Sequence, residues 1–139
     1  MAREVFVDSS CLYALADHRD PARTEVERCV PRLVKSGVCL ILTDYIVDES
    51  CTLAKSRGGG NGALRLLEIV DRSDAFRLIW IGEERFEAAK SFFRKHAGHG
   101  YSFTDCTSFT LMHERRIKDV LTTDRHFIEA GFRPLLPVL

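Results

Sequence analysis

Four short apolar runs, each followed by a polar turn and a segment with helical spacing, constrain the fold of this chain more than any other feature. The runs cover residues 5–7, 38–42, 76–81 and 119–123. Such runs are typical of buried strands, and strands that alternate with helices favour one mainly parallel sheet covered on both faces. The sequence therefore predicts an α/β fold. Ligands of such sheets bind beyond the carboxyl ends of the strands, so the side chains that follow the runs are the first candidates for a site.

The segments between the runs have helical spacing and recognisable starts. They predict helices at residues 9–16, 21–36, 43–55, 61–72, 82–96, 102–116 and 125–130. Pro31 is expected to kink or split the second helix, and the glycine-rich residues 57–62 are expected to form a loop. The chain is expected to end in an extended run over residues 134–139. The fifth helix is expected to bury four apolar side chains: Phe86, Ala89, Phe92 and Phe93.

Composition narrows the class of protein. The 139 residues are 45% apolar, which is typical of a globular chain, and their number favours a single domain over residues 1–139. The 20 basic and 20 acidic residues cancel, so any binding of nucleic acid must be local. No apolar run is long enough to span a bilayer, and the N-terminus lacks signal-peptide features. The five cysteines form no C-x-x-C pair, which favours reduced packing residues of a cytoplasmic protein.

Two carboxylates stand on faces of predicted helices where charge is costly. Asp105 falls between Phe109 and Met112, on the core-facing side of its helix, and it also stands in a capping-box relation to Ser102. Glu49 lies at the margin of the apolar arc of its own helix, whereas the neighbouring acids share a polar face. A carboxylate turned toward the core is costly unless something compensates its charge. Both positions therefore suggest a function beyond the helix itself.

Two more carboxylates follow strands directly. Asp8 ends the first apolar run, and Asp124 follows the fourth. These two, with the helical pair, can converge at the carboxyl end of the sheet. We call Asp8, Glu49, Asp105 and Asp124 the acidic quartet. Each member also has a structural explanation: capping for Asp8 and Asp105, a side chain that reaches solvent for Glu49, and a turn for Asp124.

The chemistry of the quartet favours a hard divalent cation. Two like charges ~4 Å apart repel by about 4 kcal/mol at an effective dielectric constant of ~20, so four are unfavourable without a counter-ion. Mg²⁺ binds carboxylate oxygens and water, and such a site can activate water for attack on a phosphodiester. Zinc is less favoured because the cysteines and histidines lack zinc-ligand spacing. The five histidines are scattered, and only His126, two residues after Asp124, is a candidate for a role at the site.

Four segments, in this order, resemble the motifs of PIN-domain ribonucleases and specifically of VapC-like toxins from type II toxin–antitoxin pairs. They are VFVDSS at 5–10, TDYIVDE at 43–49, YSFTDC at 101–106 and LTTDRHF at 121–127, and the trailing residues 130–132 also fit. The resemblance implies a PIN-like three-layer α/β/α sandwich with a central mainly parallel sheet. It assigns the catalytic and metal-binding roles to Asp8, Glu49, Asp105 and Asp124. Thr122 matches a hydroxyl position of the family and is given a minor role.

The resemblance also implies an activity and partners. The expected activity is a Mg²⁺- or Mn²⁺-dependent endoribonuclease that cleaves RNA with metal-activated water. The expected partners are an RNA substrate, a second copy of the chain in a homodimer and a cognate antitoxin. An antitoxin arginine is expected to reach the acidic quartet, because a guanidinium can meet carboxylates through a bidentate fork.

Three other interpretations remain open from the sequence. A phosphatase of the haloacid-dehalogenase kind would use Asp8 as nucleophile but would need an aspartate where Ser10 stands. A receiver-like signalling domain would need an acidic pair at the end of the first strand. A PIN nuclease that processes RNA without acting as a toxin would share all the motifs above.

Overall fold

A five-stranded parallel sheet forms the centre of the fold. The computed structural model describes residues 2–138. The strands are β1 Glu4–Val7, β2 Cys39–Thr43, β3 Phe76–Ile79, β4 Asp119–Leu121 and β5 Arg133–Pro134. Their order is β3-β2-β1-β4-β5, and each neighbouring pair is parallel. The predicted parallel sheet is therefore confirmed. The predicted terminal run is a strand only at its start, and its last residue, Leu139, lies outside the described residues.

Helices cover the sheet in an α/β/α sandwich, as predicted. They are α1 Ser9–Ala16, α2 Arg23–Lys35, α3 Asp44–Arg72, α4 Gly82–Lys95, α5 Phe103–Arg115 and α6 Arg125–Glu129. The most extensive helix–helix contacts are those of α1 with α3 and of α4 with α5. None of the described helices combines the length and the apolar character needed to cross a bilayer.

The core lies around the central strand β1 and its neighbours. Val5, Phe6 and Val7 of β1 are fully buried, as are Val120 and Leu121 of the neighbouring β4. Because β1 is covered on both faces, every residue of its apolar run is buried without alternation. The run ends where β1 leaves the sheet, so the polar residues that follow emerge together at the carboxyl end of the sheet.

The second helix does not split at Pro31, which contradicts that part of the prediction. Helix α2 runs without interruption from Arg23 to Lys35. Pro31 is exposed, while Val26, Val30 and Leu33 on the opposite side of the helix are buried. Water can solvate the carbonyl that loses its partner on the exposed side, and the buried side holds the helix on the core.

The glycine-rich segment is also not the predicted loop. The structure has helix on both sides of a single break at Gly59, whose φ of 75° and ψ of −173° are non-helical. Glycine adopts positive φ without steric cost, so one residue is enough to redirect the chain. Helix α3 therefore extends as two kinked halves from Asp44 to Arg72.

Helix α4 buries only part of its predicted apolar face. Ala89 is fully buried and Phe92 partly so, but Phe86 and Phe93 are 37% and 41% exposed. Both exposed rings pack against Phe103 at the start of α5, with ring centroids 5.4 and 5.7 Å apart. The periodicity of α4 predicts which face of the helix is apolar, but it does not predict which residues on that face are fully buried. Part of the face packs against α5 near the surface and stays partly exposed.

Candidate active site

Asp8 is a buried carboxylate at the carboxyl end of β1. Its side chain makes no capping hydrogen bond to α1, so capping does not explain its position. Its Oδ2 atom accepts hydrogen bonds from Ser10 Oγ at 2.9 Å and Thr122 Oγ1 at 2.8 Å. Burial raises the pKa of the Asp8 carboxyl from 3.8 to about 6, although these two hydroxyl groups oppose the rise. The charge of Asp105 contributes a smaller part of the increase.

Two hydroxyl groups connect the ends of β1 and β4. Thr122 Oγ1, which donates to Asp8, also accepts a hydrogen bond from the backbone N–H of Asp124 at 2.9 Å. Ser10 Oγ accepts one from the backbone N–H of Thr123 at 3.1 Å. Thr122 is fully buried. Each hydroxyl therefore orients the Asp8 carboxylate and fixes the turn that carries Asp124.

Asp105 combines capping with a second set of contacts. The predicted capping box is present: Ser102 Oγ accepts from the Asp105 backbone N–H, and Asp105 Oδ2 accepts from the Ser102 backbone N–H, both at 3.0 Å. The same Oδ2 atom lies 3.1 Å from His126 Nδ1. Burial raises the pKa of Asp105, the Ser102 N–H opposes the rise, and the charge of Asp124 adds to it. Capping therefore explains how the residue is held but not why a charge is buried here.

Asp124 and His126 complete a compact group with Asp105. Asp124 Oδ1 accepts from the backbone N–H of His126 at 2.9 Å and lies 3.5 Å from its Nδ1 atom. One ligand atom from each of the three side chains lies within 4.8 Å of the others. The acidic quartet omitted His126. Its position two residues after Asp124 is the only sequence signal for it, since a short turn of helix has no periodicity.

Glu49 lies beside the compact group without belonging to it. Its Oε1 atom accepts a short hydrogen bond from Ser9 Oγ, which also lies 3.5 Å from Asp8 Oδ1. Burial raises the pKa of Glu49, the Ser9 hydroxyl opposes the rise, and the charges of Asp105 and Asp124 add to it. The structure thus brings the whole quartet to the carboxyl end of the sheet. Among the described residues, two members of the quartet, Asp105 and Asp124, lie with His126 in the compact group, whose ligand atoms are close enough to share one small ion.

The charges at the two ends of the sheet are compensated differently. At the amino end, Asp119 pairs with Arg3 and Arg133, both at 2.6 Å, and Glu4 pairs with Arg115 at 2.5 Å. At the carboxyl end, no lysine or arginine among residues 2–138 forms a salt bridge with a member of the quartet. Carboxylates that lack a lysine or arginine partner and lie beside hydroxyl groups are a donor set that suits a hard divalent cation.

The family profile described as PIN domain matches residues 5–133. The chain belongs to the PIN-domain family. This assignment confirms the predicted resemblance and sets aside the phosphatase and receiver interpretations. It also agrees with the environment of Ser10, which hydrogen-bonds to Asp8 where a phosphatase would need a second aspartate.

Curated relatives match this chain along almost its whole length. The 23S rRNA-specific endonuclease VapC20 of Mycobacterium tuberculosis is 28% identical over 134 residues, which cover 96% of this chain and 98% of the relative. Ribonuclease VapC26 of the same organism is 26% identical over 131 residues, or 94% of this chain and 93% of the relative.

Two solved structures have the same fold as this chain. The crystal structure of M. tuberculosis VapC20, described as a Sarcin-Ricin loop cleaving toxin, has a TM-score of 0.84 and 27% identity. It covers 96% of this chain and 99% of the VapC20 chain. FitAcB from Neisseria gonorrhoeae has a TM-score of 0.63 at 17% identity, covering 94% of this chain and 97% of its own, and shows the fold alone. The catalytic and metal-binding roles of the quartet and of Thr122 stay predictions.

Proposed function

We propose that this chain is a metal-dependent endoribonuclease and the toxin of a toxin–antitoxin pair. The observation that carries the proposal is the acidic quartet at the carboxyl end of a PIN-domain sheet, buried or half-buried and without a salt bridge to any lysine or arginine of residues 2–138. The relatives named as an RNA endonuclease and a ribonuclease support the same conclusion. The name of VapC20 makes 23S rRNA the first substrate to test, and a structured ribosomal loop is the proposed class of target.

The side chains of the site have two proposed roles: carboxylates bind a cation, and hydroxyl groups orient those carboxylates. We assign the cation to the quartet, with Mg²⁺ or Mn²⁺ as the ion. When bound, such an ion lowers the pKa of a water molecule and neutralises charge on the phosphodiester. Thr122 and Ser10 hold Asp8 by hydrogen bonds to Oδ2, whereas Oδ1 has only a long 3.5 Å contact, with Ser9 Oγ, among the described side chains. Ser9 holds Glu49 in the same way.

The partners follow from the toxin assignment. We propose an antitoxin whose inhibitory segment carries an arginine, because no arginine of residues 2–138 forms a salt bridge with the quartet, which would accept a guanidinium through a bidentate pair. We also propose a homodimer, a single domain over residues 1–139 and a cytoplasmic location, where RNA and antitoxin are both available. Replacement of the antitoxin arginine by alanine is expected to weaken inhibition, and high Mn²⁺ is expected to relieve it in part.

The decisive experiment compares two neutralised aspartates in RNA cleavage. Asp105→Asn keeps an oxygen that can accept the Ser102 N–H, so the capping box survives while a metal-binding charge is lost. Asp48→Asn removes an exposed charge next to Glu49 and serves as the matched control. Cleavage of 23S rRNA with Mg²⁺ or Mn²⁺ is expected to fall on the order of 100-fold or more in Asp105→Asn, as when one electrostatic group of an active site is removed.

Three outcomes bear on this proposal. Activity of Asp48→Asn close to wild type, together with loss of cleavage in chelator, supports it. Equal loss in both variants contradicts the assignment of the site. Full wild-type activity in chelator contradicts metal dependence altogether.

A further inference from the structure

The imidazole of His126 lies between two acids of the quartet. Its Nδ1 atom is 3.1 Å from Asp105 Oδ2 and 3.5 Å from Asp124 Oδ1. The side chain is 31% exposed, so it is neither a packed core group nor a free surface group. A histidine that only stabilised the surface would not need to bring its nitrogen toward two carboxylates at once.

The orientation of the ring is fixed by its surroundings. The backbone N–H of His126 donates to Asp124 Oδ1, which sets the start of α6. The ring meets Tyr101 edge-on, with centroids 5.7 Å apart. On the same side, a Cβ atom on Gly100 would lie only 3.2 Å from His126 Nε2, so the absence of a side chain there makes room for the ring. Nε2 therefore faces the loop before α5, and Nδ1 faces the acids.

The spacing of the three donor atoms matches that of ligands in one coordination sphere. Two ligands at right angles, each about 2.1 Å from an ion, are about 3.0 Å apart. The separations of 3.1 and 3.5 Å from Nδ1 to the two carboxylate oxygens are close to this value. Without an ion, an Nδ1–H group of His126 can donate a hydrogen bond to Asp105 Oδ2. A bound ion would take the position of that hydrogen between the two side chains.

We propose that His126 Nδ1 is a ligand of the catalytic ion, together with Asp105 and Asp124, and that it makes the site select Mn²⁺ over Mg²⁺. This inference rests on the metal dependence in the proposed function. Imidazole nitrogen suits transition metals, whereas Mg²⁺ retains oxygen ligands and water. The competing role is that of a positioning residue, in which Nδ1 only donates a hydrogen bond to Asp105.

Pulsed electron paramagnetic resonance of bound Mn²⁺ separates these roles, because a coordinated imidazole couples its ¹⁴N nucleus to the ion. The wild-type protein is expected to show this coupling, and His126→Asn is expected to lose it. The asparagine amide N–H can still donate to Asp105 from nearly the same place, so a positioning role would be retained. His18→Asn is the control, because His18 is exposed beyond the far end of α1 and its loss is expected to leave the coupling unchanged.

Calorimetric dissociation constants supply the second readout. His126→Asn is expected to weaken Mn²⁺ binding about tenfold, within the range for a lost partner at a metal site, and to leave Mg²⁺ binding within about twofold. Absence of nitrogen coupling in wild-type protein with Mn²⁺ bound would overturn the proposal. So would failure to bind Mn²⁺, or equal weakening of both ions in His126→Asn.

These results are distinguishable from a failure of the proposed function. Metal-dependent RNA cleavage without nitrogen coupling would support the proposed nuclease and contradict the proposal that His126 is a ligand of its ion. Nitrogen coupling in a protein that cleaves no RNA would support His126 as a metal ligand and contradict the proposed nuclease activity.

Discussion

Thr122 Oγ1 donates a 2.8 Å hydrogen bond to Asp8 Oδ2 and at the same time accepts a 2.9 Å hydrogen bond from the Asp124 backbone. A hydroxyl has one hydrogen, so the contact with the Asp124 N–H leaves that hydrogen for Asp8. The hydrogen bond thus has a fixed direction, toward the carboxylate. It favours the charged form of a buried acid whose surroundings otherwise favour the neutral form.

Replacement of Thr122 by valine tests the importance of that hydrogen bond. The variant keeps the shape of the side chain but leaves the Asp124 N–H without its acceptor, at a cost of about 1–3 kcal/mol of folding free energy. Cleavage is expected to fall about 10- to 100-fold, the range for loss of a group that orients a metal ligand. Thr123→Val is the control, because among the described residues the Thr123 side chain makes no hydrogen bond. Equal activity of the two variants would contradict a role for the Thr122 hydroxyl.

Asp8 is expected to make the metal-free protein less stable as pH rises. Its pKa is about 6 in the folded protein against 3.8 as the reference value, so the folded state binds the proton more tightly. The resulting stabilisation is complete below pH 3.8 and is lost as pH rises through 6, by up to roughly 3 kcal/mol. Asp8→Asn is therefore expected to be more stable than wild type at pH 7.5 in chelator, with a smaller difference at pH 4, in urea unfolding.

Asp17→Asn provides a control of opposite sign. Tyr13 donates a 2.5 Å hydrogen bond to Asp17 and holds its pKa at about 2, so this stabilisation is present above pH 3.8 and is lost as pH falls through 2. Neutralisation of Asp17 is expected to lower stability at pH 7.5. A gain of stability in both variants would indicate a general charge effect and contradict the specific role of Asp8.

Metal binding is expected to raise the melting temperature. At ten times the dissociation constant, an ion that binds only the native state adds about 1.4 kcal/mol, which corresponds to roughly 4–6 °C for a chain of this size. The increase is expected to be smaller in Asp124→Asn and unchanged in Asp48→Asn. A melting temperature indifferent to saturating Mg²⁺ and Mn²⁺ in differential scanning calorimetry would count against a metal site.

Asp119 is expected to affect folding alone. Its two carboxylate oxygens accept hydrogen bonds from Arg3 and Arg133 at the amino end of the sheet. Asp119→Ala is expected to lower the unfolding free energy by about 1–2 kcal/mol, because charge-assisted hydrogen bonds are lost while the arginines remain partly solvated. The Mn²⁺ dissociation constant is expected to stay unchanged. A shift of that constant would show that the two ends of the sheet are coupled.

The sequence could predict the sheet and the position of the quartet because both depend on local patterns. Apolar runs locate buried strands, and a charge on an apolar arc, such as Asp105, is visible without coordinates. The position of His126 against Asp105 depends on a loop and a short helix with no periodicity. The continuity of α2 through Pro31 depends on which side of the helix faces water. The break at Gly59 depends on a single backbone conformation that several neighbouring glycines could adopt.

The contrast between the two ends of the sheet has a consequence for how such a protein loses activity. Neutral substitutions in the quartet remove charge repulsion, so they are expected to yield abundant, well-folded chains that cut nothing. Substitutions that remove the ion pairs at the amino end of the sheet are expected to destabilise the fold, so that little protein accumulates. Since the abundant kind would still occupy the proposed antitoxin, cells that carry both an inactive and an active copy would have less free antitoxin to restrain the active one. A damaged gene of the first kind would therefore harm its host more than a deletion.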